Sequence, residues 1–144
     1  MAIAPQFGLG HHLLGFVCLH GHDYERAVDA LERATTLSGA STFDRGYQAY
    51  GLGCAGKHDE ARQILEELVA AAQQQYVAPM SIAHCYLGLG DLDESLSWIE
   101  RAYARGMAQW PYFLAAPFYE PFFGLRRFQQ VVERIGLPLP LLGR

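Results

Sequence analysis

The sequence is poor in the features that mark several common protein classes. Only three cysteines occur, Cys18, Cys54 and Cys85, and no two form a CxxC pair. That excludes a zinc ribbon or a thioredoxin-like motif, and an odd, widely spaced set does not make a disulfide scaffold. The thiols read as free side chains packed in helices. Positive charge is also scarce: 11 Lys and Arg stand against 15 Asp and Glu, a formal net charge of −4. The basic stripe that tracks nucleic acid is missing, so no nucleic-acid partner is expected. No uninterrupted apolar run approaches the roughly 18 residues of a membrane-spanning helix. Residues 1–10 lack a basic leader and are too broken in apolar character for a signal peptide. The expectation is a soluble, cytoplasmic protein with no membrane partner.

Catalytic and metal motifs are absent too. There is no glycine-rich phosphate loop, no GxSxG and no HExxH. Gly8-Leu9-Gly10 and Gly51-Leu52-Gly53 have no strand before them, as dinucleotide binding would need. Glu25-Arg26 and Glu66-Glu67 read as solvated helix faces. His11, His12, His20 and His22 lie close in sequence, but on a helix His12 and His20 are about 12 Å apart, too far for one ion. No catalytic residue, cofactor or metal site is expected, and the chain is not read as an enzyme.

What the sequence does have is apolar mass and a period. Of its 144 residues 51% are hydrophobic and 18% charged, enough to build one cored domain. Self-similarity recurs at a step of 34: Ala27, Ala61 and Ser95 are small residues that each follow an acidic turn. The same step relates Gly15, Ala49 and Ala83, all small; Leu31, Leu65 and Ile99, all large and aliphatic; and Ala34, Leu68 and Ala102. His22, Gly56 and Gly90 fall at the turn, with Gly21 expected to serve it one residue early in the first copy. Small, large and small residues four and three apart share one helical face, the pattern of close-packed antiparallel helices. The elements expected are helices near 7–20, 23–38, 42–55, 58–75, 78–89 and 92–105. Ser41 or Thr42 should cap the third, Pro79 should suit the first turn of the fifth, and Asp91 should cap the sixth.

These residues resemble the tetratricopeptide repeat, a 34-residue unit of two helices, across about Leu9 to Gly106. Gly15, Ala27 and Ala34 stand at the family's small positions in copy one, Ala49 and Ala61 in copy two, Ala83 and Ala102 in copy three. The unit-ending proline is replaced by Gly39 and Gln73, and the helix-A tryptophan is absent. The resemblance implies a single all-α domain over 1–144. It would be a right-handed α-α superhelix of three hairpins, about 8–41, 42–75 and 76–109, with a C-terminal cap over 110–144. The tail is aromatic and proline-rich, with Pro111, Pro117 and Pro121 preventing a long helix before a helical period returns at Leu125 to Ile135. The runs Ala116-Pro117-Phe118-Tyr119-Glu120-Pro121-Phe122-Phe123 and Leu125-Arg126-Arg127-Phe128 are similar to the terminal segment of a bacterial subgroup. In that subgroup the repeats follow a regulator, cyclase or kinase domain.

The resemblance also implies a function, protein–protein interaction, and a site, the concave groove lined by the first helix of each hairpin. Repeat arithmetic assigns to it Leu9, His12, Leu13, Phe16 and His20, then Phe43, Tyr47, Tyr50 and Cys54, then Val77, Met80, Ser81, His84 and Leu87. This set is largely apolar, suited to an amphipathic helix or extended apolar peptide. The alternatives are a groove filled by the protein's own tail and a homodimer formed through the groove or the ends. A carboxylate clamp is not expected: its positions fall on His12, Phe16, Tyr47, Val77 and Ser81, none a fixed positive charge.

Overall fold

A computed structural model describes residues 7–39, 41–106, 117–134 and 136. Among them are seven α-helices and a 3-10 segment, with no strand. The helices are α1 (Gly8–His20), α2 (Tyr24–Ser38), α3 (Thr42–Cys54), α4 (His58–Ala71), α5 (Pro79–Gly88), α6 (Leu92–Ala104) and α7 (Arg126–Arg134); the 3-10 segment is Pro117–Phe122. The fold is an all-α stack of helical hairpins. The tail before Pro117, including Trp110, Tyr112 and Phe113, lies outside the described residues, as do Ile135 and the chain beyond Gly136.

The 34-residue step is physical. Tyr24, His58 and Leu92 open α2, α4 and α6 at that interval. Each preceding turn closes with the same bond, the Asp23, Lys57 or Asp91 N–H donating to the Cys18, Leu52 or Tyr86 carbonyl at 2.9, 2.9 and 3.0 Å. Such a closure needs one left-handed residue. Gly56 (φ 83°) and Gly90 (φ 80°) supply it in two turns, but in the first it is His22 (φ 60°). Gly21 does not serve early as expected, because its φ of −85° is ordinary. The turn geometry fixes the position, and the residue there must comply.

Helix starts follow capping chemistry. Asp23, Ser41 and Asp91 accept from the backbone N–H groups of Arg26, Asp44 and Glu94. Pro79 occupies the first turn of α5, after an extended Ala78. α4 starts at His58, and its N-cap residue Lys57 makes no side-chain cap. It also stops at Ala71, short of the expected 75: Gln73 and Gln74 make tighter bonds to carbonyls three residues back, and 72–76 offer no buried face to extend the helix.

The hairpins pack through small residues. Ala27, Ala61, Ala83, Ser95 and Ala102 are all fully buried, as the repeat pattern requires. Ser95 also donates its hydroxyl to the Ala83 carbonyl at 2.7 Å, so a polar residue at a small position is satisfied. α3 and α5 meet almost backbone to backbone. A Cβ on Gly88 would lie 2.7 Å from the Tyr50 Cα, one on Gly46 would lie 2.8 Å from the Ser81 Cα, and one on Gly53 would overlap the Gly88 carbonyl. The C-terminal elements add to the same core: Tyr119, Phe122, Phe128, Val131 and Val132 cluster with Met80 and Leu87 of α5 and Leu96, Ile99 and Ala102 of α6. Arg127 ties α7 to α6 by donating to Glu100 at 2.6 Å and to Ser97 at 2.9 Å.

Candidate functional site

A column of rings crosses the hairpins. Phe16 of α1 meets Tyr47 of α3 edge-on at 5.6 Å; Tyr47 stacks on His84 of α5 at 4.5 Å; His84 faces Tyr119 at 5.9 Å. From there Tyr119, Phe122 and Phe128 continue in parallel-displaced steps of 6.3 and 5.4 Å. Each first helix contributes a ring to the column and the tail supplies the next, although Tyr47 does not share the repeat position of Phe16 and His84, which Tyr50 holds on α3. Such contacts contribute about 0.5–1.5 kcal/mol each beyond the area they bury.

Burial divides the fourteen expected groove residues in half. Leu9, Leu13 and Cys54 are exposed and His12, Phe16, His20 and Phe43 half-buried, while Tyr47, Tyr50, Val77, Met80, Ser81, His84 and Leu87 are buried. The third hairpin's contribution is thus within the core. Two causes act there. Tyr119 and Phe122 of the tail pack against Met80, Leu87 and His84, and Ser81 and Val77 face the preceding hairpin, not a groove. Leu9 and Leu13 lie on the equivalent face of α1, the end of the stack.

The centre of the column is electrostatically quiet. The Tyr119 O–H donates to His84 Nε2 at 2.5 Å, joining α5 to the tail. Burial pulls the His84 imidazole down to about 3 and pushes the Tyr119 phenol well up, so both stay neutral and Tyr119 is the donor. Burial also raises the Tyr47 and Tyr50 phenols. At the α1 end the field differs. His12 Nδ1 hydrogen-bonds the Asp44 carboxylate of α3, and that bond raises the imidazole pKa against the opposing desolvation. Cys54, though exposed, has a thiol raised by desolvation, against the smaller lowering effect of hydrogen bonds with Tyr50 and Tyr24, so it is not an activated thiolate. Among the described residues no three His, Cys, Asp or Glu side chains are grouped to hold a metal ion, and no helix is long and apolar enough to cross a membrane.

Sequence reasoning found Phe16, Tyr47 and His84 but missed their continuation through Tyr119 to Phe128. The aromatic density of the tail was the available signal; it carried no repeat spacing to place any one ring.

Stacked antiparallel hairpins with a ring on each first helix define a helical-repeat protein. A family model for the tetratricopeptide repeat matches residues 55–115, less than half of the chain, spanning α4 to α6. Together with the all-helical fold this supports a tetratricopeptide-repeat protein. No curated protein and no solved structure matches the chain.

Proposed function

We propose that the chain is a protein-interaction module that takes an apolar or aromatic peptide segment along the open, N-terminal part of the ring column. Tetratricopeptide repeats generally mediate protein–protein interaction. The carrying observation is a graded burial along one column: His12, Phe16, His20 and Phe43 are half-buried, whereas Tyr47 is buried among Phe16, Phe43 and His84, and His84 is closed off by Tyr119 of the tail. A ligand would then contact the first two hairpins, and the tail would bound its reach. The surface combines aromatic faces with one charged pair, His12 and Asp44, so orientation would come from a polar group near His12 and affinity from apolar burial. The fold is that of a typically non-catalytic interaction module. The tail sequence supports placing the chain with the bacterial proteins that carry these repeats behind a regulator, cyclase or kinase domain.

The test is selection of peptides from a displayed random library against the wild-type chain, followed by titration of a selected fluorescent peptide. Phe16→Ala and Phe43→Ala should each weaken it by about tenfold, the loss of one well-packed aromatic contact. Peptides that bind both variants as tightly as wild type would place the site elsewhere.

A further inference from the structure

We propose that His12 donates from Nε2 to a main-chain carbonyl of an extended apolar peptide lying on Phe16 and Phe43, and that Asp44 holds the donated proton in place. The inference rests on the groove reading and deepens it: it fixes the backbone form of the ligand and makes binding take up protons.

Tyr47 lies at the bottom of the cleft between α1 and α3. Its ring is buried and meets His12 at 6.2 Å, Phe16 at 5.6 Å and Phe43 at 5.5 Å, three rings that are each half-buried. Polar groups placed to meet a ligand are few. α1 and α5 contain no Asp, Glu, Lys or Arg, and α3 contains only Asp44 and Arg45. Arg45 is drawn away to Gln48 and to Glu67 of α4. His12 Nδ1 bonds Asp44, whose side chain is 8% exposed against 28% for His12. The other ring nitrogen, Nε2, makes no hydrogen bond among the described residues. It is the polar atom left over beside the aromatic faces.

The chemistry of that atom selects the ligand. An ionised carboxylate can only accept, so Nδ1 carries a proton and Nε2 is the atom that titrates. Asp44 is nearly buried and His12 is the side chain it bonds, so the pair favours a charged imidazole, and the raised pKa of the ring agrees. Nε2–H is then a donor in need of an acceptor. A ligand carboxylate would set a second anion against this imidazolium, opposite Asp44, while Arg45 is already engaged. A neutral carbonyl meets the donor without that repulsion. Main-chain carbonyls are unpaired in an extended segment, whereas a helix bonds all but its last four internally. The donor therefore favours an extended peptide over an amphipathic helix. Neighbouring charges do not alter this. Glu25, Arg26, Asp29, Glu32 and Arg33 of α2 are exposed, His84 of α5 lies beyond Tyr47, and His20 of α1 bonds the Phe16 carbonyl. Asp44 is the charge that acts on the His12 ring.

The probe is a rhodamine-labelled peptide selected by display on the full chain, capped at both ends and without ionisable side chains. Anisotropy titrations run from about pH 6.5 to about pH 9, above the range in which His84 weakens the fold. Wild-type binding should be tightest at the acid end and weaken about tenfold as His12 loses its proton, the loss of one charge-assisted hydrogen bond. His12→Gln should bind with a flat profile, and His20→Gln should keep the wild-type slope. Asp44→Asn should move the midpoint to lower pH. Histidine NMR of the wild type, which needs no variant, should show the His12 midpoint rising when the peptide is added. A stapled helical form of the same peptide should bind more weakly. A peptide that Phe16→Ala weakens but that binds equally across the pH range, or leaves the His12 midpoint unmoved, would overturn this proposal and leave the groove reading standing. Equal binding of the stapled helix would overturn the extended ligand. A peptide indifferent to Phe16→Ala, or none selected at all, would remove the groove reading and this inference with it.

Discussion

His84 makes this protein sensitive to mild acid, and the size of the effect follows from its burial. The imidazole is fully enclosed, neutral, and accepts from Tyr119, with its pKa pulled from 6.5 down to about 3 by desolvation. In the unfolded chain it protonates near its ordinary value. A depressed folded pKa gives stability that is complete above 6.5 and is lost as pH falls, because only the unfolded state takes up the proton. Each pH step below 6.5 then costs about 1.4 kcal/mol until the folded value is reached. At about pH 5 the loss is on the order of 2 kcal/mol, a sizeable share of a small domain's total.

His12 works in the opposite sense. Its pKa is raised by Asp44, so its contribution is complete below 6.5 and disappears as pH rises through the raised value. The wild-type profile between about pH 7 and pH 5 is therefore a difference of two histidine effects, and comparison of variants separates them. Urea denaturation across that range should show His84→Gln less stable than wild type at pH 7 but losing about 2 kcal/mol less on acidification. In parallel, the His84 ring proton followed by NMR should not titrate while the protein stays folded. Parallel stability profiles for the two proteins, or a native His84 titrating near 6.5, would refute the buried, neutral assignment.

Gly53→Ala should lower stability by about 1–3 kcal/mol by urea denaturation, since its new methyl meets backbone of Gly88 and outweighs the roughly 1 kcal/mol gained in helix propensity. Gly124→Ala, with nothing within 4 Å, is the control and should be near neutral. His22→Gly should raise the melting temperature, gaining about 0.5–1 kcal/mol by relieving a left-handed residue against loss of the 2.7 Å contact with Tyr24; a drop would show that contact to dominate. Lys57→Asp should stabilise by about 1 kcal/mol, because α4 alone among the three second helices lacks the aspartate cap present at Asp23 and Asp91; unchanged thermal unfolding would count against it.

The hairpins were legible in the sequence because small residues recur where helices touch. Ala27, Ala61 and Ser95 fixed the register, and each is fully buried. The site was less legible. Repeat arithmetic places a residue on a face, but what covers that face depends on neighbours outside the unit. Leu13, Tyr47 and Ser81 hold one repeat position, yet the first is exposed and the other two buried, since among the described residues a hairpin packs before the second and third only. Tyr50, assigned to the groove, is only 7% exposed, so Tyr50→Glu would test the core before it tested binding.

The tail shows why such a pattern fades before the architecture does. Arg126 opens α7, 34 residues after Leu92 opens α6, so the helix keeps the repeat's step. Its buried residues do not. Adding 34 to Ser95 and Ile99 gives Gln129 and Glu133, half-buried and exposed, while Phe128, Val131 and Val132 are the ones inside. The inward face has turned by one residue, about 100° around the helix. The turn is consistent with the packing partner: the earlier helices admit alanine because another helix lies against them, whereas α7 packs beside a short 3-10 segment and fills the space with larger side chains. The column of rings makes the same substitution, with Tyr119 and Phe122 standing where a regular first helix would have continued it. The described tail thus keeps the repeat's step at α7 while packing larger side chains against the third hairpin. The His84–Tyr119 bond at its inner edge joins it to the repeats, which is why one buried imidazole reports on both.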